Sequence, residues 1–166
     1  MISSKNSEDS DKQQNNYDKR DILISLSELI YMTDIPFLEQ TQPHKVFNAI
    51  WALEGEVNNG GFAQYFANSS SQTATFVITA LEIIGAYKTA DICKRAFKYA
   101  FPDGLPNTPY EIRKSAVSHF DALSLELDPF DREFFNYPDN LTELLFAFVE
   151  KHPEEFGDII RDITGG

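Results

Sequence analysis

Residues 56–71, EVNNGGFAQYFANSSS, interrupt a helical pattern and restart it at once. Apolar residues at helical spacing precede this stretch, ending with Ile50, Trp51 and Leu53, and the aromatic residues of FAQYF resume the spacing. Asn and Gly adopt the left-handed backbone conformation at low cost. Two Asn and two Gly between two apolar faces therefore predict a corner that ends one helix and begins another.

We expect the side chains of this corner to have structural roles. Residues four apart lie on one helix face, and Asn and Gln amides can satisfy the backbone groups left open where two helices meet. The predicted structural set is Glu56, Asn58, Asn59, Gly60, Gly61, Phe62, Gln64, Tyr65, Phe66 and Asn68.

The alternative is a small pocket that carries chemistry. Its lining would be Glu54, Glu56, Asn58, Gln64 and Tyr65. The sequence has no phosphate loop, no nucleophile elbow and no pair of His four residues apart, so no catalytic spacing supports this reading. We therefore expect no catalytic residue, no metal, no cofactor and no enzymatic activity. That expectation includes the widely spaced histidines and the single cysteine: His44, His119, His152 and Cys93.

Helical periodicity continues on both sides of the corner and predicts an all-α fold, a single compact multi-helix domain over residues 18–166. Residues 1–17 are polar and are expected to form a disordered tail. Gly85 is predicted to follow a helix end, and Asn140 and Glu143 fit a capping box. Asp128 and Pro129 are predicted to be the N-cap and first residue of a short helix.

The net charge of −12 narrows the classes of partner. A surface this acidic repels nucleic acid and anionic membranes and attracts basic proteins. The N-terminus has no apolar run typical of a secretory signal or anchor, so we expect a soluble cytoplasmic protein.

The run Glu-x-Asn-Asn-Gly-Gly-Phe-x-Gln-Tyr-Phe-x-Asn-Ser, here Glu56–Ser69, resembles the signature of a bacterial DNA-mimic protein family, the neisserial DNA-mimic protein-like domain of otherwise unknown function. Ile84–Ala86 and Phe101–Gly104 extend the similarity, which spans residues 20–150. The resemblance implies an all-α, acidic, non-enzymatic protein that binds a helix-turn-helix transcription factor in place of DNA.

Charge is concentrated in residues 121–166, which hold twelve Asp and Glu against three Lys and Arg. Several of these acids are three or four residues apart, and such helical neighbours lie roughly 5–6 Å apart at Cβ, comparable to successive phosphates on a DNA strand. The predicted partner-binding set is Asp121, Glu126, Asp128, Asp131, Glu133, Asp139, Glu143, Glu150, Glu154 and Glu155.

Alternatives stay open for both charged surfaces. The acidic face is either a solvated surface with no partner, or the surface by which an immunity protein neutralises a basic toxin or nuclease. The basic helix around Lys88, Lys94, Arg95 and Lys98 is either solvated or pairs with the acids of a second protomer in a homodimer.

Overall fold

The computed structural model describes residues 18–165, and over this range the chain forms eight α-helices and two 3-10 helices with no β-strand. The prediction of an all-α fold is confirmed. The predicted tail, residues 1–17, lies outside the described residues. The α-helices are α1 Lys19–Met32, α2 Gln42–Ala67, α3 Val77–Ile83, α4 Tyr87–Ala100, α5 Pro109–Ser118, α6 Phe120–Phe135, α7 Leu141–Glu150 and α8 Pro153–Thr164; the 3-10 helices are Phe37–Glu39 and Ser69–Thr73.

The long helix α2 is the centre of the molecule and packs against α3, α5, α6 and the second 3-10 helix. Its buried side chains include Phe47, Phe62, Tyr65 and Phe66, which have no exposed surface. Aromatic rings fill much of this core, and the Phe66 ring lies 4.9 Å from that of Phe97, centroid to centroid. The helix α1 lies on the other side, against α7 and α8.

Several helix ends lie where the sequence predicts them. Gly85, with φ of 84°, follows α3, and Ala86 N–H donates to the carbonyl of Leu81 at 2.8 Å. The Asn140 side chain accepts a hydrogen bond from the backbone N–H of Glu143 and so caps α7. The Glu143 carboxylate takes part in no capping box, because it contacts Lys19 instead.

The predicted helix start at Asp128 and Pro129 is wrong. Pro129 lies inside the continuous helix α6, and the Asp128 carboxylate pairs with Arg132 four residues later, at 2.7 Å. Proline removes the hydrogen bond to the carbonyl of Leu125. Leu125 is 79 % exposed, so water can solvate that carbonyl, while buried Leu127 and its apolar neighbours hold the helix against the core.

Candidate functional site

The corner in α2 is built on Gly61. Gly60 and Gly61 both have non-helical dihedral angles, but only Gly61 has a positive φ, of 78°. The second arm of α2 then begins at Phe62, whose N–H donates to the Asp131 carboxylate at 2.8 Å. A side chain at position 61 would also collide with that carboxylate. A side chain at position 60 would collide only with that of Gln64. Position 61 thus requires glycine for both its φ and its space, and the corner needs an acceptor from α6.

Glu56 links the two arms of α2 across the corner. Its carboxylate accepts from the Gln64 side-chain amide at 2.7 Å and from the Asn68 side-chain amide at 3.0 Å. In the second arm, the hydroxyl of Tyr65 is 2.7 Å from that of Thr73. Burial raises the pKa of the Tyr65 phenol, which keeps it neutral. These contacts agree with a structural role for the corner.

A second polar network lies one turn before the corner, around Glu54. This carboxylate is only 4 % exposed and accepts from Arg20 at 3.0 and 3.1 Å and from the Tyr137 hydroxyl at 2.9 Å. The Arg20 guanidinium lies 4.6 Å from the Trp51 ring, and Asn58 donates to the Tyr137 hydroxyl at 2.5 Å. Burial raises the pKa of Tyr137, and the nearby Glu54 charge adds to this effect. We call this group the Glu54 brace.

The residues of the alternative catalytic pocket do not share one cavity. Glu54 and Asn58 belong to the brace, whereas Glu56 and Gln64 bond to each other across the corner. A depression of about 410 Å³ does lie beside the corner, but of those five residues it includes only Glu56, together with Trp51 and uncharged neighbours.

The histidines and the cysteine also have ordinary environments. His152 Nδ1 is 2.8 Å from the Phe148 carbonyl, and His44 lies against Glu155. Burial raises the pKa of the Cys93 thiol, which suppresses its reactivity. Between residues 18 and 165, no three His, Cys, Asp or Glu side chains are grouped as metal ligands would be.

Asp131 was predicted to contact a partner, and the structure places it in the interior at 7 % exposure. Burial raises the pKa of this carboxyl, the Phe62 N–H opposes that rise, and the charge of Asp128 adds to it. Its role is to cap the second arm of α2, so it cannot be a surface contact. The sequence gives no sign of this, because the two residues are 69 positions apart.

Asp139 also has a structural role. Its carboxylate accepts from Thr89 through both the backbone N–H, at 2.7 Å, and the hydroxyl, at 3.0 Å, and so caps the first turn of α4. The remaining predicted contacts divide into two groups. Four are engaged within the chain: Asp128 by Arg132, Glu133 by Arg95, Glu143 by Lys19, and Glu155 by Thr41 and His44.

The other four predicted contacts are exposed and have no ion pair within residues 18–165: Asp121, Glu126, Glu150 and Glu154. Glu150 ends α7 and Glu154 follows in α8, so their four-residue spacing does not place them on one helix face. The row that does exist runs along α8, where Glu154, Asp158 and Asp162 are exposed at successive four-residue steps. Asp158 pairs with Arg161. We call these three residues the α8 row.

Asp158 and Asp162 are not in the predicted contact set, although their four-residue spacing is visible in the sequence. The basic residues of α4 are largely engaged within the chain. Lys94 pairs with Glu82 at 2.5 Å, and Arg95 pairs with Glu133 at 2.7 Å, which raises the pKa of Arg95. Lys98 donates to the Pro102 carbonyl at 2.9 Å.

Over the part of the chain that the structure describes, no helix is long and apolar enough to cross a membrane. A protein-family model described as DMP19-like protein matches residues 39–152, which include the corner. No curated protein and no solved structure matches the chain significantly.

Proposed function

Because the chain belongs to the DMP19-like protein family, the DNA-mimic family that the corner motif resembles, we propose that it is an acidic DNA mimic that binds a helix-turn-helix transcription factor and blocks its access to DNA. The partner is a basic protein of the cytoplasm, where operator DNA is found. In this proposal the protein is not an enzyme, and none of its residues is catalytic.

The observation that carries the proposal is the α8 row. Glu154, Asp158 and Asp162 are exposed and follow one helix face at steps of roughly 6 Å. Buried Phe156 holds the opposite face of α8 on the core, so the row projects from a fixed helix. Arg and Lys side chains that bind phosphates in DNA make the same charge-assisted hydrogen bonds to carboxylates.

Exposed acids on neighbouring elements extend this surface. Lys19, at the start of α1, bonds to Glu143 of α7, and the charges of Glu143 and Glu150 both raise the pKa of Lys19. Because α1 packs on α7 and α8, these acids belong to the same side of the molecule as the α8 row. Asp121 and Glu126 lie on α6, which packs on α2, α4 and α5, and they stay in the proposed contact set as exposed acids apart from the α8 row. Asp131 and Asp139 are removed from the set.

The test is displacement of a regulator from labelled operator DNA, after the regulator has been identified by affinity capture with the full chain. The double variant Glu154→Lys/Asp162→Lys reverses two charges in the α8 row. We expect it to bind the regulator at least about tenfold more weakly, which corresponds to about 1.4 kcal/mol.

The matched control is Asp103→Lys/Glu111→Lys, which makes the same change in net charge outside residues 121–166. Glu111 and Glu154 both lie in the first turn of a helix, so each double replaces one acid at a helix N-terminus. If both doubles weakened binding alike, net charge rather than a DNA-like surface would be responsible. If capture yielded only a basic toxin or nuclease, the proposal would be wrong in its partner class.

A further inference from the structure

A cleft of about 540 Å³ lies on the side of α2 that faces the C-terminal half of α1. Its apolar lining includes Tyr31, Ile35, Phe37 and Trp51, and the segment that joins α1 to α2 forms one wall. We call it the α1 cleft. None of its lining residues belongs to the α8 row, to the predicted structural set of the corner, or to the acids of α6 and α7.

The surface around the α1 cleft is unusually apolar. Fourteen large apolar side chains are exposed among the described residues, and six of them fall within residues 24–38. Of these six, Tyr31 and Ile35 line the cleft itself. Tyr31 is 87 % exposed, and Met32 and Leu38 are each 77 % exposed. A cluster of this kind on an otherwise charged protein marks a place where another molecule docks. The six are Ile24, Leu29, Tyr31, Met32, Ile35 and Leu38.

The charge of the same segment restricts what can dock. Residues 21–40 contain Asp21, Glu28, Asp34 and Glu39 and no Lys or Arg. Glu28 and Asp34 line the α1 cleft itself. Between residues 18 and 165, none of these four carboxylates has an ion pair. The nearest basic residues in sequence, Lys19 and Arg20, are engaged by Glu143 and Glu54.

From this combination we infer that the α1 cleft is a second protein-docking site, which takes an amphipathic helix of a partner protein. The helix inserts an aliphatic or aromatic anchor into the apolar lining, and Lys or Arg beside the anchor reach Glu28 and Asp34. Helix-in-groove recognition uses anchors of this kind at three- and four-residue spacing. The α8 row offers only carboxylates, so it attracts basic groups of any ligand. The α1 cleft also requires apolar side chains on its ligand.

Other occupants fit less well. Two copies of the chain that met symmetrically through this face would bring Glu28, Asp34 and Glu39 against their own copies. The chain's residues 1–17 carry three acids and two bases and offer almost no aliphatic side chain as an anchor. Nucleic acid and anionic lipid have the wrong charge.

The test uses the full chain and a fluorescein-labelled helical peptide of about 18 residues, with Leu at three- and four-residue spacing and Lys on the flanks. Binding is measured by fluorescence anisotropy at about 0.15 M salt, where long-range attraction is screened. We expect the double variant Tyr31→Ser/Ile35→Ser to bind the peptide at least about tenfold more weakly than the wild type, because both side chains line the cleft. Both side chains are exposed, so circular dichroism should show an unchanged fold.

Three controls decide the interpretation. Tyr110→Ser/Leu125→Ser removes exposed apolar side chains elsewhere and should leave peptide affinity unchanged. A peptide with Ala in place of Leu tests charge alone and should lose most of the binding. Glu28→Gln/Asp34→Asn should weaken binding more than Asp103→Asn/Glu111→Gln, because only the first pair lines the cleft.

Equal binding of the Leu and Ala peptides would overturn the inference, because attraction would then be electrostatic only. Equal weakening by the Tyr110 and Leu125 control would overturn it too. A wild-type dimer in sedimentation equilibrium that Tyr31→Ser/Ile35→Ser dissociates would show a second copy in the cleft instead. The Glu154→Lys/Asp162→Lys variant should keep its peptide binding, so failure here and failure of the proposed DNA mimicry are separate results.

Discussion

At the scale of single residues, the two glycines of the corner are not equivalent. The sequence predicts a positive φ for either, because glycine is suited to it and the pattern does not say which residue turns the chain. In the structure Gly61 turns the chain, and Gly60 has a φ of −159°. Asp131 occupies the space where a side chain at position 61 would point, so this position excludes a side chain by space as well as by φ.

Gly61→Ala should therefore destabilise the fold by about 1–3 kcal/mol, from the cost of a positive φ and the collision with Asp131. The control is Gly55→Ala in the first arm of α2, where an added methyl group would contact nothing. That variant should stabilise by about 0.5–1 kcal/mol, because alanine is the better helix former. Urea unfolding measures both, and an equal effect of the two substitutions would contradict the assignment of Gly61.

Asp131 offers a prediction about pH. Its pKa is raised by burial, so the folded state binds its proton more tightly than the unfolded state. The resulting stabilisation is full below the ordinary Asp pKa of 3.8 and is lost as pH rises through the higher pKa of the folded state. Asp131→Asn keeps an oxygen that accepts from Phe62 but cannot ionise.

The stability of Asp131→Asn relative to the wild type should accordingly rise between acid and neutral pH, as measured by urea unfolding across that range. Asp131→Ala removes the cap and should cost about 0.5–2 kcal/mol. If the stability of Asp131→Asn relative to the wild type stayed constant or fell as the pH rises, the burial of the wild-type carboxylate would carry no energetic penalty.

At the scale of elements, sequence reasoning succeeded where a local signal sets the structure. Gly85 follows the end of α3 and Asn140 caps α7, as predicted, because these residues act on the adjacent turn of their own helix. The same reasoning misplaced a helix start at Asp128 and Pro129. Proline after an acid is a start signal only when the preceding residues are not already held in a helix by packing, and Leu123 and Leu127 hold them.

The Glu54 brace joins α1, α2 and the turn after α6, and its two charges are unequally buried. The side chain of Glu54 is 5 % exposed and that of Arg20 is 36 % exposed. Arg20→Gln leaves a buried carboxylate without its cation, so it should cost about 3–5 kcal/mol. Glu54→Gln leaves an arginine that can turn to solvent and should cost less. Urea unfolding of the two variants tests this order, and the reverse order would show that the Tyr137 hydroxyl, not Arg20, chiefly stabilises Glu54.

At the scale of the whole molecule, helical periodicity predicted the class of fold, which is confirmed, and the net charge predicted a basic partner, which stays a prediction. Neither indicates which carboxylates are available on the surface. Of ten acids assigned to a binding surface, Asp131 and Asp139 cap helices and others are neutralised by bases distant in sequence. Arg95 and Glu133, for example, form an ion pair, but they lie too far apart in the sequence for helical periodicity to relate them. The sequence locates charge along the chain, whereas folding decides how much of it faces outward.

The net charge of −12 should make stability depend on salt. Repulsion among exposed acids opposes compaction, and added ions screen it. We expect the melting temperature to rise as NaCl increases from about 0.05 to about 0.5 M. At low salt, Asp162→Asn, which removes an exposed acid from the last turn of α8, should melt above the wild type and respond less to salt. A melting temperature that fell with salt would show that the exposed ion pairs outweigh the repulsion.

The bond between Phe62 and Asp131 also has a consequence for the timing of folding during synthesis. The two partners are separated by 69 residues. At translation rates of about 5–20 residues per second, the ribosome adds Asp131 roughly 3–14 s after Phe62. Helical segments form in about a microsecond, so both arms of α2 can be helical long before their junction has its cap. Over those seconds the aromatic residues of the second arm lack the α6 surface that later covers them, and the nascent chain is then at its most vulnerable to aggregation.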